Sequence, residues 1–113
     1  MTKPRYVPAR GDLVWLQFSP HAGHEQGGHR PALVLSPEDY NRSLGLALIC
    51  PITSRIKGYP FEVPLPEGMK VKGAVLSDQV RSIDWSTRGA ERIGIAPTAV
   101  VTDVLAKAIT LLS

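Results

Sequence analysis

The chain carries one cysteine, Cys50. No disulfide within it can therefore staple the fold, and a reducing, cytoplasmic setting is expected. Cys50 closes the apolar run Leu46-Ala47-Leu48-Ile49-Cys50 and reads as a buried small hydrophobe, not a nucleophile. No apolar stretch approaches the ~20 residues that a membrane-spanning helix needs, so no membrane association is expected. Met1-Thr2-Lys3-Pro4-Arg5 has no apolar run behind it and does not read as a signal peptide. Internal repeats and low-complexity tracts are missing. So are the Walker-type glycine loop, the GxSxG elbow, the redox CxxC and the HExxH pattern. These absences remove the sequence-marked routes to nucleotide hydrolysis, acyl transfer, disulfide exchange and zinc chemistry. His21, His24, Glu25 and His29 are potential metal ligands, but no Cys/His pair spacing supports them. No metal and no cofactor is expected.

What is present reads as one domain over residues 1–113. With 43% hydrophobic and 20% charged residues the chain is globular and not disordered. Ten prolines and ten glycines argue for short strands and tight turns over a helical bundle. The formal charge of +3 fits ordinary solubility or an anionic partner, and by itself separates neither. A chain this short buries only about two-thirds of its unfolded surface, so pairing with a second copy would help it.

Read in order, residues 1–10 form a tail, and Arg10-Gly11-Asp12 a turn. A first strand runs from Leu13 to Phe18, with Leu13, Trp15 and Gln17 on one face and Val14, Leu16 and Phe18 on the other. Trp15 reads as a core aromatic at a barrel or sheet surface. A long polar loop, residues 19–30, precedes a second strand, Pro31 to Ser36. Ser36-Pro37-Glu38-Asp39 has the form of a helix start, with an exit from Asn41 through Gly45. A third strand spans Leu46 to Thr53, with Pro51 suggesting an end or an edge. Phe61-Glu62-Val63-Pro64 is a brief strand, and Gly73 to Ile83 a longer one with Ser77-Asp78-Gln79 as polar insertions. Asp84-Trp85-Ser86-Thr87 begins a helical turn, and Arg88 to Gly94 is basic and irregular. From Ala96-Pro97 a long helix follows, with Val101, Val104, Leu105, Ala108 and Leu112 at spacings of three and four. The expected fold is mainly β: a small antiparallel sheet or open barrel with short helical inserts and a C-terminal helix.

The first loop holds the densest chemistry. Gly23-His24-Glu25-Gln26-Gly27-Gly28-His29-Arg30-Pro31 gathers a carboxylate, two imidazoles, an amide and a guanidinium between two strands. Cleaving RNA through its own 2′-hydroxyl needs a base, an acid and fixed positive charge on the phosphorane oxygens. Glu25 can be the base and Arg30 the phosphate clamp. Thr53 can add a hydroxyl donor if the third strand lies beside the second. A Glu25–Arg30 ion pair that only pins the loop fits the same spacing. Arg55, Lys57, Lys70, Lys72, Arg81, Arg88 and Arg92 are either scattered surface cations or one groove tracking a nucleic-acid backbone. Tyr59, Phe61 or Trp85 would then be available for base stacking.

Four blocks in order give the chain a wider resemblance. They are Arg10-Gly11-Asp12 into Leu13–Pro20; Gly23–Ser36; Cys50-Pro51-Ile52-Thr53 continuing to Lys57-Gly58-Tyr59-Pro60-Phe61-Glu62-Val63; and Asp78-Gln79-Val80-Arg81-Ser82-Ile83. Together they make the chain resemble the MazF/PemK toxins of bacterial toxin–antitoxin modules, the third block most like the chromosomal MazF branch. The resemblance implies an SH3-like barrel-type fold, a homodimer, and metal-independent, sequence-specific endoribonuclease activity on single-stranded RNA. The products would be 2′,3′-cyclic phosphate and 5′-hydroxyl ends. It places the family's glutamate, arginine and threonine on Glu25, Arg30 and Thr53, and its Asp-Gln pair on Asp78 and Gln79 near the RNA groove. His24, Gln26, His29 and Lys57 join these as expected RNA contacts. It also implies a MazE-like antitoxin with an acidic, disordered tail that folds across the groove. Gln17 and Ser19 depart from the acidic residues that relatives often carry around the phenylalanine before the loop. Two rival readings are a CcdB-like gyrase poison and a nucleic-acid-binding barrel without chemistry. The plain apolar ending Thr110-Leu111-Leu112-Ser113 disfavours the poison, which acts through C-terminal residues.

Overall fold

The computed structural model describes residues 6–18 and 28–113. Seven strands and two helices follow in the order β1 (Asp12–Gln17), β2 (His29–Val34), α1 (Glu38–Leu44), β3 (Leu46–Thr53), β4 (Glu62–Pro64), β5 (Ala74–Leu76), β6 (Arg81–Asp84), β7 (Glu91–Ile95) and α2 (Thr98–Thr110). All strand pairs are antiparallel, along the path β4-β5-β3-β2-β1-β7, with β6 also paired to β3. The expected mainly β fold is therefore present. The path has two ends, β4 and β7, which do not pair with each other among the described residues.

Alternation along β1, β2 and β3 sorts their apolar side chains onto two faces, and each face is covered. Leu13, Leu33, Cys50 and Ile52 pack on one face with Val101 and Val104 of α2. Val14, Leu16, Ala32, Val34 and Ile49 pack on the other with Ile83 and Trp85. Burial on both sides explains why these strands read as near-continuous apolar runs. Phe18 joins the second cluster, as its place in the alternation requires.

Several elements differ from the sequence expectation, each for a local reason. β2 begins at His29, ahead of Pro31, because β1 pairs with it as far as Gln17–His29. His29 and Arg30 are thus strand residues. Asn41 does not end α1 but lies buried inside it. Its amide donates to the carbonyls of Pro8 (2.8 Å) and Ser36 (3.1 Å), and its Oδ1 accepts from the Ser36 hydroxyl (2.5 Å). Ser36 is therefore no N-cap: its hydroxyl is taken by Asn41, and the oxygen also accepts from the Leu48 amide. Gly45 closes the helix in the left-handed region at φ 70°, where only glycine is unstrained.

Pro51 is neither an edge nor an end. β3 pairs with β6 through Ile49 and with β5 from Ile52, so Pro51 sits where the strand changes partner and an N–H is dispensable. The single strand expected from Gly73 to Ile83 divides into β5 and β6 at Ser77–Val80, the polar insertion that broke its alternation. Asp84-Trp85-Ser86-Thr87 is a hydrogen-bonded turn, with the Thr87 amide donating to the Asp84 carboxylate at 2.9 Å, and not a helix. On α2 the stripe holds for Val101, Val104 and Ala108, but Val100 is buried in place of Leu112, which is 81% exposed beyond the helix end. The tail is anchored from Tyr6 onward, where the tyrosine hydroxyl donates to Asp12 and Pro8 is fully buried. No described helix is long and apolar enough to cross a membrane.

Cys50 is fully buried, as expected, and burial first and the Asp78 charge second push its thiol pKa up from 9.0 to about 12. Folding thus favours the protonated thiol. That contribution is complete below pH 9 and is lost as pH climbs from 9 toward 12. A disulfide reagent at pH 8 should therefore leave the native thiol unmodified and titrate it fully in denaturant. Asn41→Ala strands the Pro8 and Ser36 carbonyls in the interior. It should lower unfolding free energy by about 1–3 kcal/mol, read as a fall in urea midpoint at unchanged slope.

Candidate nucleic-acid interface

The polar residues emerge where β2 starts and β3 ends. The last paired step between those strands is Ala32 with Pro51. Two residues further along each strand stand Arg30 and Thr53, and continuing the same register sets them opposite one another. Alternation gives both the face that carries Leu16 and Ile49, since Leu16 pairs directly with Arg30. The third strand does lie beside the second, as Thr53's proposed part required.

Thr53 is 8% exposed, and its Oγ1 accepts a hydrogen bond from the Arg55 amide at 3.1 Å. The hydroxyl hydrogen is left to donate outward. Thr53 lines a cleft of about 470 Å³ whose walls include Arg55, Lys57, Asp78 and Gln79. Four expected site residues, Thr53, Lys57, Asp78 and Gln79, are thus brought together. Both acids of this cleft are engaged. Glu62, buried at 7% exposure, accepts from the Lys57 amide (3.1 Å to each oxygen) and the Gly58 amide (2.7 Å). Asp78 accepts from the Tyr59 hydroxyl at 2.9 Å. Burial, then that hydrogen bond and the Asp78 charge, push the Tyr59 pKa up to about 12, so the phenol stays neutral at physiological pH. Arg55, Lys57 and Asp78 are exposed, so a phosphate in this cleft would meet two cations, the Thr53 hydroxyl and one carboxylate.

Arg30 and His29 line a neighbouring cleft of about 300 Å³ with Trp15, Ser54, Lys70 and Lys72. The structure therefore puts Arg30 and Thr53 at the rims of two adjoining clefts, not within one. Between them the end of β3 alternates: Thr53 faces one cleft, while Ile52 and Ser54 face the other. His24, Glu25 and Gln26 lie outside the described residues, as does His21. Among the described residues no group of three or more His, Cys, Asp or Glu side chains is placed to hold a metal.

One expectation about aromatics is reversed and one is met in part. Trp85 cannot stack on a base: it is 6% exposed and its Nε1 donates to the Asn41 carbonyl at 3.0 Å. Trp15 is not sealed in the core but half-buried, its ring stacked on His29 with centroids 5.1 Å apart and planes 18° from parallel. Glu62 as a backbone latch and Tyr59 as the partner of Asp78 were missed. An acid between Phe61 and Val63 in a strand is the signal that pointed to the first; nothing local pointed to the second.

Comparison with known proteins places this arrangement in context. A family model described as "PemK-like, MazF-like toxin of type II toxin-antitoxin system" matches residues 9–112. The endoribonuclease toxin MazF of Escherichia coli K12 is 54% identical over 94 residues, spanning 82% of this chain and 84% of that protein. The endoribonuclease toxin ChpB of the same strain is 45% identical over 102 residues, spanning 85% and 86%. A crystal structure of MazF from Deinococcus radiodurans superposes with a TM-score of 0.92 at 57% identity, covering 96% of this chain and 98% of that one. A MazE–MazF crystal structure from the same organism gives 0.86 at 51% identity over the same shares.

Gly73 holds Thr53 in place. It has φ 130°, and a Cβ there would lie 2.1 Å from the Thr53 carbonyl oxygen. Gly73→Ala should cost roughly 1–3 kcal/mol from backbone strain alone. It should also shift the Thr53 to Arg55 amide resonances while leaving those of α2 in place.

Proposed function

From this chain's place in the PemK-like, MazF-like toxin family of type II toxin–antitoxin systems, to which it belongs, we infer that it is an endoribonuclease toxin cutting single-stranded RNA through the RNA's own 2′-hydroxyl. The family match across residues 9–112, with relatives named endoribonucleases at 45% to 54% identity, carries this reading. The polar rim where β2 begins and β3 ends supports it.

Glu25 takes the proton of the 2′-hydroxyl, and the freed oxygen attacks the adjacent phosphorus. The O2′–P bond forms, the P–O5′ bond breaks, and the 5′ oxygen takes a proton from solvent water, which the proton held by Glu25 replaces. The products are a 2′,3′-cyclic phosphate and a 5′-hydroxyl end. Arg30 balances the charge that grows on the non-bridging oxygens. Its planar fork matches them and stays charged at any physiological pH. Thr53 donates its free hydroxyl hydrogen to the same oxygens. No metal enters any step. Lys57, Asp78 and Gln79 hold the flanking RNA in the cleft beside Thr53, and His24 and Gln26 of the first loop hold it together with His29 at the start of β2. The chain acts in the cytoplasm as a homodimer. An antitoxin with an acidic, disordered tail blocks it by covering the same cations, as the MazE–MazF assemblies of similar proteins support.

The test is purified protein with single-stranded RNA of varied sequence and excess chelator. Cleavage should proceed with chelator present, and DNA of equal sequence should survive for want of the 2′-hydroxyl. Arg30→Ala should lower kcat by about 100- to 1,000-fold, in line with loss of one transition-state donor, at unchanged melting temperature. RNA left intact across the whole sequence pool would remove the assignment.

A further inference from the structure

Of the lining of the cleft beside Arg30, the catalytic reading uses only Arg30 and His29. Trp15 and His29 form its stacked aromatic wall. Lys70 and Lys72 project from the turn before β5, both exposed, and Arg30 closes the rim. Among the described residues no acid lines it, whereas the cleft beside Thr53 contains Glu62 and Asp78. A flat ring pair next to the two exposed ammonium groups of Lys70 and Lys72 matches one chemistry closely: a nucleobase that stacks and a phosphate that pairs. A volume of about 300 Å³ suits one nucleotide unit.

Position makes the match specific. Trp15, His29, Pro31 and Ile52 sit on the sheet face opposite Arg30 and Thr53, by the alternation of β1, β2 and β3. The two clefts therefore lie on opposite sides of the same strand ends. An RNA strand whose scissile phosphate rests between Arg30 and Thr53 must pass around those ends, and the next space it meets is the Trp15 cleft. On the ribonuclease reading above, we propose that Trp15, His29, Lys70 and Lys72 form a nucleotide-binding subsite that anchors the RNA substrate one unit away from the cleaved bond. Its recognition is sequence-tolerant stacking plus phosphate pairing, because rings and ammonium groups offer no base-edge pattern. An acidic peptide would satisfy the lysines but leave the ring pair unused, so the nucleotide is favoured.

The chain holds two tryptophans, Trp15 and Trp85, so 5-fluorotryptophan labelling gives two fluorine resonances, assigned with Trp15→Phe. The probe is a short single-stranded deoxyoligonucleotide pool, which binds without offering the attacking hydroxyl. The Trp15 resonance should move and the buried Trp85 resonance should not. Paired Lys70→Ala and Lys72→Ala should flatten the dependence of log affinity on log salt by about 1.4, at 0.7 per phosphate contact on a single strand. The same pair should raise KM for RNA with kcat unchanged. Trp15→Ala should raise KM by about 5- to 100-fold. The remote Lys107→Ala should change none of these.

If the protein cleaves RNA while the Trp15 signal stays fixed and the salt slope is unaltered, the subsite is refuted and the ribonuclease stands. If no RNA is cleaved yet the oligonucleotide moves Trp15, the subsite stands and the ribonuclease falls. A Trp15 response to a poly-glutamate peptide but not to the oligonucleotide would assign the cleft to an acidic protein partner and overturn the proposal.

Discussion

The described structure depends on burying both faces of one sheet with the help of two described helices. The cross-strand register of β1, β2 and β3 settles where each side chain goes, and a slip of one residue would exchange the two faces entirely. α2 covers the face of Leu13, Leu33 and Ile52. The other face has no long helix, and it is closed instead by the end of β6, Trp85, and the early segment carrying Tyr6 and Val7. Trp85 is committed to that closure by its hydrogen bond to Asn41, itself committed to Pro8 and Ser36. Such a chain of buried, satisfied polar groups is the kind that selects one packing over its rivals.

The polar chemistry appears where this covering stops. Arg30 and Thr53 continue the lines of Ala32–Val34 and Ile49–Pro51 past the last paired step, onto surface that neither cluster reaches. Two backbone exceptions sharpen that edge. Pro51 marks the change of β3 from β6 to β5 without stranding a donor, and Gly73 lets the chain before β5 press directly on the Thr53 carbonyl. The rim is thus rigid on the β3 side because of residues that carry no chemistry themselves.

How far the sequence disclosed this differs from one element to the next. The limits of β3, Leu46 to Thr53, were legible because a long apolar run flanked by turns permits few readings. The divided faces of β1 were legible from simple alternation. α1 was misread because Ser36-Pro37 imitates an N-terminal cap. Only the tertiary partner of Asn41 reveals that the serine is engaged elsewhere. β5 and β6 were fused because Ser77-Asp78-Gln79 looked like a flaw in a strand and not a break between two. Of the candidate site, the gathering of Thr53, Lys57, Asp78 and Gln79 was expected from the family resemblance. The role of Trp15 did not, because an aromatic in an apolar strand gives no sign of which end of the sheet it occupies.

Net charge was the least informative quantity at the outset, and the structure explains why. A formal excess of +3 is small, but its deployment is uneven. Glu62 is turned inward onto the Lys57 and Gly58 amides, and Asp78 is bonded to Tyr59. On the helices the acids meet cations directly, Glu38 with Arg42 and Asp103 with Lys107. Among the described residues Arg55, Lys57, Lys70 and Lys72 form no such ion pair, and they border the two clefts. A local field of one sign, focused by concave walls, draws an anionic strand far more effectively than the same charge spread over the surface. Glu62 matters here as much as the cations, since its buried carboxylate would weaken the field further if it faced outward, as the exposed Asp78 already does.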